Sequence, residues 1–342
     1  MTDQTIRVGI VGATGYTAAE AARLVIGHPN ASLAVATSRN DAGRPLGQVH
    51  RGLMGTTDVA LSEFDADQFA EQCDAALVCL PHGASSTTVR QLVERGVRTV
   101  DFSADFRLSS IDLYHHHYGD HHGWPERVGS TVYGLPELFS GQTRTQMEHA
   151  DLVANPGCYP TSAILPLSPL VAAGAIEPTD VIIDSKSGVS GAGRTPKLAT
   201  LYGETNENFV AYGVGTHRHG PEIIDLVQRF SGVAIESIFT PHLVPMMRGI
   251  LSTIYVRPTD GVDGVREELR SVYANSPMVH VIDDLPGTAE VARTNQVRIA
   301  VRSAGDRAVI VCVIDNLVKG ASGAAIQNLN LMYGLDQTTG LI

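Results

Sequence analysis

The sequence predicts an α/β protein of two domains: a doubly wound parallel sheet, then an α+β domain with a mixed or antiparallel sheet. Short apolar runs alternate with helix-patterned segments over roughly the first 157 residues, and longer strands with alternating side chains follow. Apolar strands separated by helices are typical of a parallel sheet covered on both faces. The length of 342 residues also suits about two domains.

The first domain begins with a strand, a glycine turn and an Ala-rich helix, in the stretch IRVGIVGATGYTAAEAARLVIGHP. Further short apolar strands are predicted in SLAVATSR, DAALVCLPHG, VRTVDFSADFR and HADLVANPG. Between them, SSTTVRQLVERG is predicted to be a helix whose apolar residues share one face.

The second domain is predicted to begin with a helix in TSAILPLSPLVAAG, despite Pro166 and Pro169. A strand that enters a Gly/Ser loop (DVIIDSKSGVSGAGR), a helix (GPEIIDLVQRF) and a hairpin that bends at Gly305-Asp306 follow. The helical stretch GASGAAIQNLNLMYG is expected to return to the first domain. We therefore assign residues 1–157 plus 319–342 to one domain and residues 158–318 to the other.

The charge balance and the cysteine content exclude several classes of protein. The formal net charge is −11, from 25 Lys and Arg against 36 Asp and Glu, which argues against nucleic acid and membrane as partners. A small anionic substrate needs only a local cluster of cations. No apolar run reaches the length of about 18 residues that a membrane span needs. With no signal peptide predicted and no CxxC pair among four cysteines, we expect a cytoplasmic protein.

The glycine turn after the first strand predicts a Rossmann-like dinucleotide site. Gly9, Gly12 and Gly15 form G-x-x-G-x-x-G, which differs in spacing from the G-x-G-x-x-G fingerprint. Glycines there let the backbone approach a pyrophosphate at a helix N-terminus, and Thr14 and Thr17 add hydroxyl donors. The alternative is a strand–helix turn that binds nothing.

The ends of the next two strands specify the cofactor further. NAD sites place Asp or Glu at the end of the second strand, whereas this strand ends in Ser38-Arg39. Both residues suit a 2′-phosphate, so we predict NADP(H); a solvated Arg39 is the alternative. Pro81, His82 and Gly83 follow the third strand and should line the cofactor crevice, with His82 beside the nucleotide rather than acting as a base.

Cys158 is the candidate nucleophile. It follows a strand and Pro-Gly and directly precedes a predicted helix, where the helix dipole and free N–H groups stabilise a thiolate and lower its pKa. The alternative is a structural cysteine, which we prefer for Cys79 and Cys312 in continuous apolar strands. Cys73 has no evident role.

Two groups of histidines carry open alternatives. His217 and His219 precede a helix that begins near Pro221, and they fit either the acid–base partner of a cysteine or a metal site that lacks further ligands at useful spacing. Five of the 13 histidines lie at 115–117 and 121–122. They fit either a metal cluster or a solvated loop that titrates near neutral pH.

Cations near these groups predict a pocket for an anionic substrate. Lys186, Arg194 and Lys197 lie within the glycine-rich stretch SKSGVSGAGRTPK. Arg107 and Arg248 are two more candidates, with structural salt bridges as the alternative role.

With these residues in view, the chain resembles the N-acetyl-γ-glutamyl-phosphate reductases, an arginine-biosynthesis family related to the aspartate-semialdehyde dehydrogenases. The resemblance runs nearly end to end, and the cysteine block with SGVSGAGR and HRHGPEI is its specific part. The matching stretches are GIVGATGYT, CLPHG, DFSADFRL, YGLPEL, ANPGCYPTS, SGVSGAGR, THRHGPEI, FTPHLVPMMRG and DNLVKGASG.

The resemblance implies that Cys158 is the acylated nucleophile, that His217 is the acid–base residue, and that the protein forms homodimers or homotetramers. The expected NADP(H) residues are Gly12, Ala13, Thr14, Gly15, Tyr16, Thr17, Ser38, Arg39, Pro81, His82, Gly83, Gly188 and Asn316. The expected contacts to a small acyl-phosphate substrate are Arg107, Asn155, Arg194, Lys197, His219, Glu222 and Arg248.

Three positions depart from related patterns. Ile250 stands where the semialdehyde dehydrogenases have histidine, which favours the glutamyl-phosphate branch. Ala18 replaces a glycine and is expected to tighten the pyrophosphate turn. His117-Tyr118 replaces Trp-Tyr, so the histidine cluster looks like local drift, and we expect no metal.

The implied reaction is the NADPH-dependent reduction of N-acetyl-γ-glutamyl phosphate to the semialdehyde and phosphate, through a thioester on Cys158. The alternatives are an aspartate-semialdehyde dehydrogenase and, from another class, a catalytically silent NADP-binding regulator on the same fold.

Overall fold

A computed structural model describes residues 5–138 and 140–342, without the side chains of 140–142. The described residues form two compact units. The first holds the chain up to Leu135 with Gly141–Pro156 and Ala321–Ile342, and the second holds Pro136–Ser140 and Gly157–Gly320. The functional division that we place at residues 157/158 and 318/319 stays a prediction.

The secondary structure alternates between short strands and helices in the first half and has longer strands in the second. The strands are β1 (Ile6–Val11), β2 (Ala31–Thr37), β3 (Leu61–Ser62), β4 (Ala75–Val78), β5 (Arg98–Asp101), β6 (Val132–Tyr133), β7 (Leu152–Ala154), β8 (Val181–Gly188), β9 (Val210–Ala211), β10 (Ser237–Val244), β11 (Ile250–Val256), β12 (Val279–Val281), β13 (Val297–Ala304) and β14 (Arg307–Ile314). The helices are α1 (Tyr16–Ile26), α2 (Leu46–Val49), α3 (Ala66–Gln72), α4 (Ser85–Val93), α5 (Ile111–Tyr118), α6 (Ser140–Glu148), α7 (Cys158–Ala172), α8 (Tyr202–Thr205), α9 (His219–Ser231), α10 (Gly261–Tyr273) and α11 (Gly323–Met332).

The first unit contains a parallel sheet in the order β3-β2-β1-β4-β5-β7-β6, which confirms the predicted doubly wound fold. Val8, Ile10, Leu77 and Val100 are fully buried in it, as expected for strands covered on both faces. The strand order reverses at β1, between β2 and β4. In open α/β sheets ligands bind beside the carboxyl ends of the strands at such a reversal.

The second unit contains a mixed sheet in the order β12-β13-β14-β11-β8-β10-β9. The pairs β8/β10 and β12/β13 are parallel and the others are antiparallel, which confirms the predicted second domain type. The β13–β14 hairpin bends at Gly305, whose φ is +63°. Helices α7 and α10 pack against this sheet, and α9 packs against α7.

Several short elements of the first unit differ from the sequence-based prediction. Strands β3 and β6 have two residues each, too few for an apolar pattern to be visible. The histidine stretch expected as a loop begins with helix α5, because the Oγ of Ser110 accepts a hydrogen bond from the Leu113 backbone N–H (3.2 Å) and caps the helix N-terminus.

Candidate functional site

Cys158 is the first residue of α7, at the point where backbone N–H groups have no partner inside the helix. The N-cap residue is Gly157, in an extended conformation, and glycine has no side chain with which to cap these donors. Pro160 lies in the first turn, where its missing N–H costs little. The positive end of the helix dipole therefore acts on the Cys158 sulfur.

The other three thiols lie in different surroundings. Burial raises the pKa of Cys73 to about 12, and burial also raises the pKa of Cys79 and of Cys312 well above the ordinary value. These three thiols stay protonated near neutral pH. Because the thiolate, and not the thiol, is the nucleophile, they are expected to be unreactive. Cys158 and Cys79 are both half-buried, but of these four cysteines only Cys158 begins a helix.

Glu222 ties the start of α9 to the start of α7. Its side chain is fully buried, and its Oε1 accepts a hydrogen bond from the Gly157 backbone N–H (3.0 Å). This bond fixes the peptide that leads into Cys158. We predict Glu222 as a substrate contact from the sequence; this geometry supports a role in holding the cysteine turn, and the substrate contact stays a prediction.

The imidazole of His217 is held in one tautomer by the backbone. Its Nδ1 accepts a hydrogen bond from the His219 backbone N–H (3.1 Å), so the proton of the neutral ring lies on Nε2. Burial, and next the charge of Arg218, lower the pKa of His217 to about 4. The ring is therefore neutral at physiological pH and presents an Nε2–H donor.

Aromatic side chains surround His217 and connect it to the cysteine turn. Its ring centroid lies 5.7 Å from that of Tyr159, 5.4 Å from that of Tyr212 and 5.6 Å from that of Phe239, all edge-on. Tyr159 directly follows Cys158 in α7. The structure thus brings together the two predicted catalytic residues in one unit.

The two tyrosines are functional candidates that sequence reasoning missed. The Tyr159 hydroxyl donates to the His242 carbonyl (3.1 Å) and lies 3.1 Å from the Tyr212 hydroxyl. Burial raises the pKa of Tyr212 to about 12. The hydrogen bond with Tyr159 opposes this rise, and the charge of Cys158 adds to it. Tyr159 stands inside the cysteine motif and could have been noticed, whereas no sequence signal marks Tyr212.

The predicted anion-binding residues occupy different environments. Arg194 and Lys197 are exposed in the loop after β8. Arg248 is 22% exposed, and its Nη1 lies 3.4 Å from Oδ2 of the fully buried Asp315. Lys186, on β8, pairs with Asp184 (2.9 Å). Anion binding by these four cations stays a prediction.

Arg107 and Asn155 hold backbone of the first unit. Arg107 is buried, and its Nε and Nη2 donate to the carbonyls of Asn155 (2.8 Å) and Phe102 (2.7 Å). The Asn155 amide donates to the Ala321 carbonyl (2.9 Å). These bonds support the structural alternative for Arg107, and the substrate role of both residues stays a prediction.

Two predicted cofactor residues of the second unit support one loop. Asn316 is buried; its Oδ1 accepts from the Gly249 N–H (2.8 Å) and its Nδ2 donates to the Ser190 Oγ (2.9 Å). A Cβ on Gly188 would lie 2.8 Å from the Arg248 backbone nitrogen, so only glycine fits there. Their contact with a cofactor stays a prediction.

The glycine turn in the first unit has the features of an anion site. Gly12 has φ +78°, and a Cβ there would lie 2.8 Å from the Cys79 carbonyl oxygen. Gly15 is the N-cap of α1 and, like Gly157, has no side chain to cap the helix. The N–H groups at the start of α1 are therefore suited to a phosphate. Ala18 is 1% exposed within α1, so it packs into the core and lies outside the turn that we expected it to tighten.

Ser38 and Arg39 follow β2, beside this turn. Ser38 is buried, and its Oγ accepts from the Asp41 N–H (3.2 Å), while Arg39 is exposed. The neighbouring His50 was missed by sequence reasoning; its Nε2 lies 2.8 Å from the Ala13 carbonyl and donates to it. The glycine turn is thus held by the hydrogen bond from His50, and the exposed Arg39 lies at its edge.

The predicted cofactor loop at Pro81–Gly83 is held by a buried carboxylate. Asp105 Oδ1 accepts from the Gly83 N–H (2.8 Å) and the Tyr114 hydroxyl (2.9 Å), and its Oδ2 accepts from the Ser86 N–H (2.9 Å). The exposed His82 packs edge-on against Tyr118, with centroids 5.2 Å apart. The sequence alone did not single out Asp105.

The histidine cluster is partly structural. His122 Nε2 lies 2.8 Å from the Asp105 carbonyl oxygen, and its Nδ1 accepts from the Trp124 N–H (3.0 Å). Within the described ranges 5–138 and 140–342, no three His, Cys, Asp or Glu side chains are grouped as metal ligands. In the same ranges no helix combines the length and the apolar character that crossing a bilayer requires.

Comparison with known proteins identifies relatives along the whole chain. The family model described as the semialdehyde dehydrogenase NAD binding domain matches residues 7–146, and the one described as the semialdehyde dehydrogenase dimerisation domain matches residues 158–316. An N-acetyl-gamma-glutamyl-phosphate reductase of Rhodopirellula baltica is 60% identical, with 100% of both chains covered. One of Desulforudis audaxviator is 47% identical, with 98% of both chains covered.

Solved structures share the fold at low identity. Aspartate semialdehyde dehydrogenase II of Vibrio cholerae, complexed with ASA, aligns with a TM-score of 0.74 at 17% identity, over 96% of this chain and 98% of that one. Aspartate semialdehyde dehydrogenase of Candida albicans, with NADP, aligns with a TM-score of 0.70 at 16% identity over the same shares.

Proposed function

The chain belongs to the N-acetyl-γ-glutamyl-phosphate reductase family, and we propose on that basis that it reduces N-acetyl-γ-glutamyl phosphate to N-acetylglutamate 5-semialdehyde and phosphate, using NADPH. The observation that carries the proposal is the position of Cys158 at the start of α7, where the N-cap residue is Gly157 and leaves the helix N–H groups uncapped by a side chain. The same unit holds His217 in a single tautomer. A thiolate there and a hydrogen-bond donor nearby are what acyl transfer from an acyl phosphate requires.

Cys158 performs the first step. Its thiolate attacks the acyl carbon, the bond from that carbon to the phosphate oxygen breaks, and phosphate leaves with a proton from solvent. The product is a thioester on Cys158. The N–H groups at the start of α7 stabilise the oxyanion that forms during the attack. Glu222 holds Gly157, the residue before Cys158, in place through the hydrogen bond that it accepts from the Gly157 N–H.

The first unit has residues that fit NADPH. Gly12 allows close approach to the backbone, the glycine-capped start of α1 suits the pyrophosphate, and Ser38 with Arg39 suits a 2′-phosphate. When bound, NADPH supplies the hydride that reduces the thioester carbon. Release of the aldehyde then returns the sulfur as a thiolate, so this half of the reaction needs no further proton.

His217 acts in both halves as a neutral hydrogen-bond donor. A ring with a pKa of about 4 holds no second proton at pH 7, and losing its Nε2 proton would create an imidazolate. We therefore assign it the stabilisation of the substrate oxyanion through Nε2–H, in place of the full proton transfer that the sequence suggested.

The pH dependence of kcat/KM tests this assignment. Burial disfavours the imidazolium, so the active neutral ring persists as pH falls below 6.5 and is lost only toward about 4. A profile measured from about pH 5 to about pH 9 is expected to show no inflection near 6.5 from His217. An acidic limb near 6.5 that disappears in His217→Phe would contradict the assignment.

Arg39→Ala is expected to raise the KM for NADPH by about 10- to 100-fold, because a charge-assisted bond to the 2′-phosphate contributes about 1.5–3 kcal/mol. The KM for NADH should not change, since NADH lacks that phosphate. Initial rates with both cofactors measure this, with Arg44→Ala as a matched control on the same loop. Equal effects on the two cofactors would reject the 2′-phosphate role.

The substrate is tested by the phosphate-dependent reverse reaction. NADP+ reduction is measured with N-acetylglutamate semialdehyde and with aspartate semialdehyde, each with and without phosphate. Phosphate-dependent NADPH formation from the first substrate is expected. Formation from aspartate semialdehyde alone would indicate an aspartate-semialdehyde dehydrogenase, and NADPH binding without turnover of either would indicate a silent regulator.

Assembly and location complete the proposal. The match of residues 158–316 to a model described as a dimerisation domain supports a homodimer or homotetramer, which light scattering would distinguish. Cytoplasmic location is proposed from the reducing environment that a catalytic thiolate needs.

A further inference from the structure

A π-helical turn packs directly against the candidate nucleophile. The turn spans Val318–Ser322, and a Cβ added to Gly320 would lie 2.9 Å from the Cys158 Cβ and 3.3 Å from its Cα. The position of Gly320 therefore determines the space available to Cys158. π-helical turns are rare and occur frequently at functional sites.

The N-terminal end of this turn is fixed by Asp315. Its fully buried carboxylate accepts hydrogen bonds through Oδ1 from the N–H groups of Leu317 (2.8 Å) and Val318 (3.0 Å). The Gly320 N–H donates to the Asp315 carbonyl (2.9 Å), which is the i to i−5 bond that makes the turn π-helical. An α-helical turn would use a different pairing and would move Gly320 relative to Cys158.

A buried ion pair holds the middle of the same turn. Lys319 Nζ contacts Glu137 Oε1, and the two side chains are 0% and 2% exposed. Glu137 comes from the segment Pro136–Ser140, which belongs to the same compact unit as Lys319 and Gly320 although it lies far away in the sequence. Lys319 is the residue immediately before Gly320, so the pair anchors the backbone that touches Cys158.

Stability alone does not account for such a pair. The desolvation free energy of two buried charges can equal or exceed the free energy gained from their attraction. Well-packed apolar residues in their place often give the same stability or more. What an ion pair adds is a defined geometry at both ends. Here that geometry sets the register of a turn that has α-helical alternatives.

We infer that Lys319 and Glu137 are positioning residues for Cys158. Their ion pair holds the Val318–Ser322 turn in its π-helical register, which keeps Gly320 against Cys158 and confines the sulfur to the orientation used for attack. The inference rests on the proposed function only in taking Cys158 as the nucleophile. Neither residue is assigned contact with the substrate.

The test is the double variant Glu137→Gln with Lys319→Met, which removes both charges and strands neither of them. The matched control is Glu290→Gln with Arg298→Met, an exposed ion pair of the same unit with side chains 40% and 38% exposed. For each protein we would measure the melting temperature, kcat and KM for the acyl phosphate, and the rate at which iodoacetamide alkylates Cys158 across pH.

The double variant is expected to melt close to the control and to lose about 10- to 100-fold in kcat, with KM little changed, because a nucleophile displaced by about 1 Å loses rate on this scale. Its pH profile for alkylation should shift from that of the wild type. The swapped pair, Glu137→Lys with Lys319→Glu, should recover part of both losses.

Wild-type kcat and an unchanged alkylation profile in a folded double variant would overturn the inference. The alkylation measurement needs no substrate. If the wild type failed to reduce N-acetyl-γ-glutamyl phosphate, the proposed function would fail, and the positioning role would still be decided by the alkylation rates.

Discussion

Replacing Cys158 by serine is expected to lower kcat by a factor on the order of 10⁴ or more, as removal of a covalent nucleophile does in other enzymes. A serine hydroxyl keeps the size of the residue, but it is hardly ionised, so it cannot form the thioester at a useful rate. NADPH binding, measured by fluorescence titration, should be unchanged because the glycine turn of the first unit is unaltered.

The control is Cys73→Ala, which removes a buried thiol at the end of α3. It should keep wild-type turnover. Mass spectrometry after brief iodoacetamide treatment at neutral pH should find modification at Cys158, because burial keeps Cys73, Cys79 and Cys312 protonated. If the Cys158→Ser protein kept a turnover within about tenfold of wild type, Cys158 would not be the nucleophile.

The second large effect is expected for His217→Phe. Phenylalanine keeps an aromatic ring among Tyr159, Tyr212 and Phe239 but lacks the Nε2–H donor. Loss of one oxyanion donor costs a factor of about 10²–10³ in kcat. Single-turnover kinetics should show both thioester formation and its reduction slowed.

His280→Phe serves as the control, because His280 is exposed on β12 and its ring contacts Gln296. It should leave both rates unchanged. If His217→Phe instead raised KM alone and kept kcat, His217 would be a binding residue rather than a donor to the transition state.

These two expectations combine local and long-range information. The position of Cys158 at a helix start is visible in the sequence, since a strand, Pro-Gly and a helical pattern are adjacent along the chain. The donor role of His217 depends on the His219 backbone N–H and on burial among Tyr159 of α7, Tyr212 just after β9 and Phe239 of β10. No sequence pattern predicts this hydrogen bond or the burial of His217.

The parallel sheet was predictable because its strands and helices repeat with local periods. The short strands β3 and β6 were not, because two residues have no period. Helix α5 lay within reach of the sequence: Ser110 is a strong N-cap residue, and Asp112 follows in the first turn.

The buried polar groups were the least predictable part. From the sequence, Arg107 fits either an anion binder or a structural salt-bridge partner; in the structure two of its donors hold carbonyls of its own unit. Glu137 and Lys319 lie 182 positions apart, and nothing in their neighbourhoods suggests that they pair.

The sequence by itself therefore determined the class of fold, the glycine turn, the candidate thiol and the family, because each depends on residues close together along the chain. Only the tertiary structure decided which polar groups are buried, which tautomer His217 adopts and what packs against Cys158. Protonation and hydrogen bonding depend on the dielectric surroundings and on partners that folding brings together, and these are properties of the assembled core rather than of any one segment.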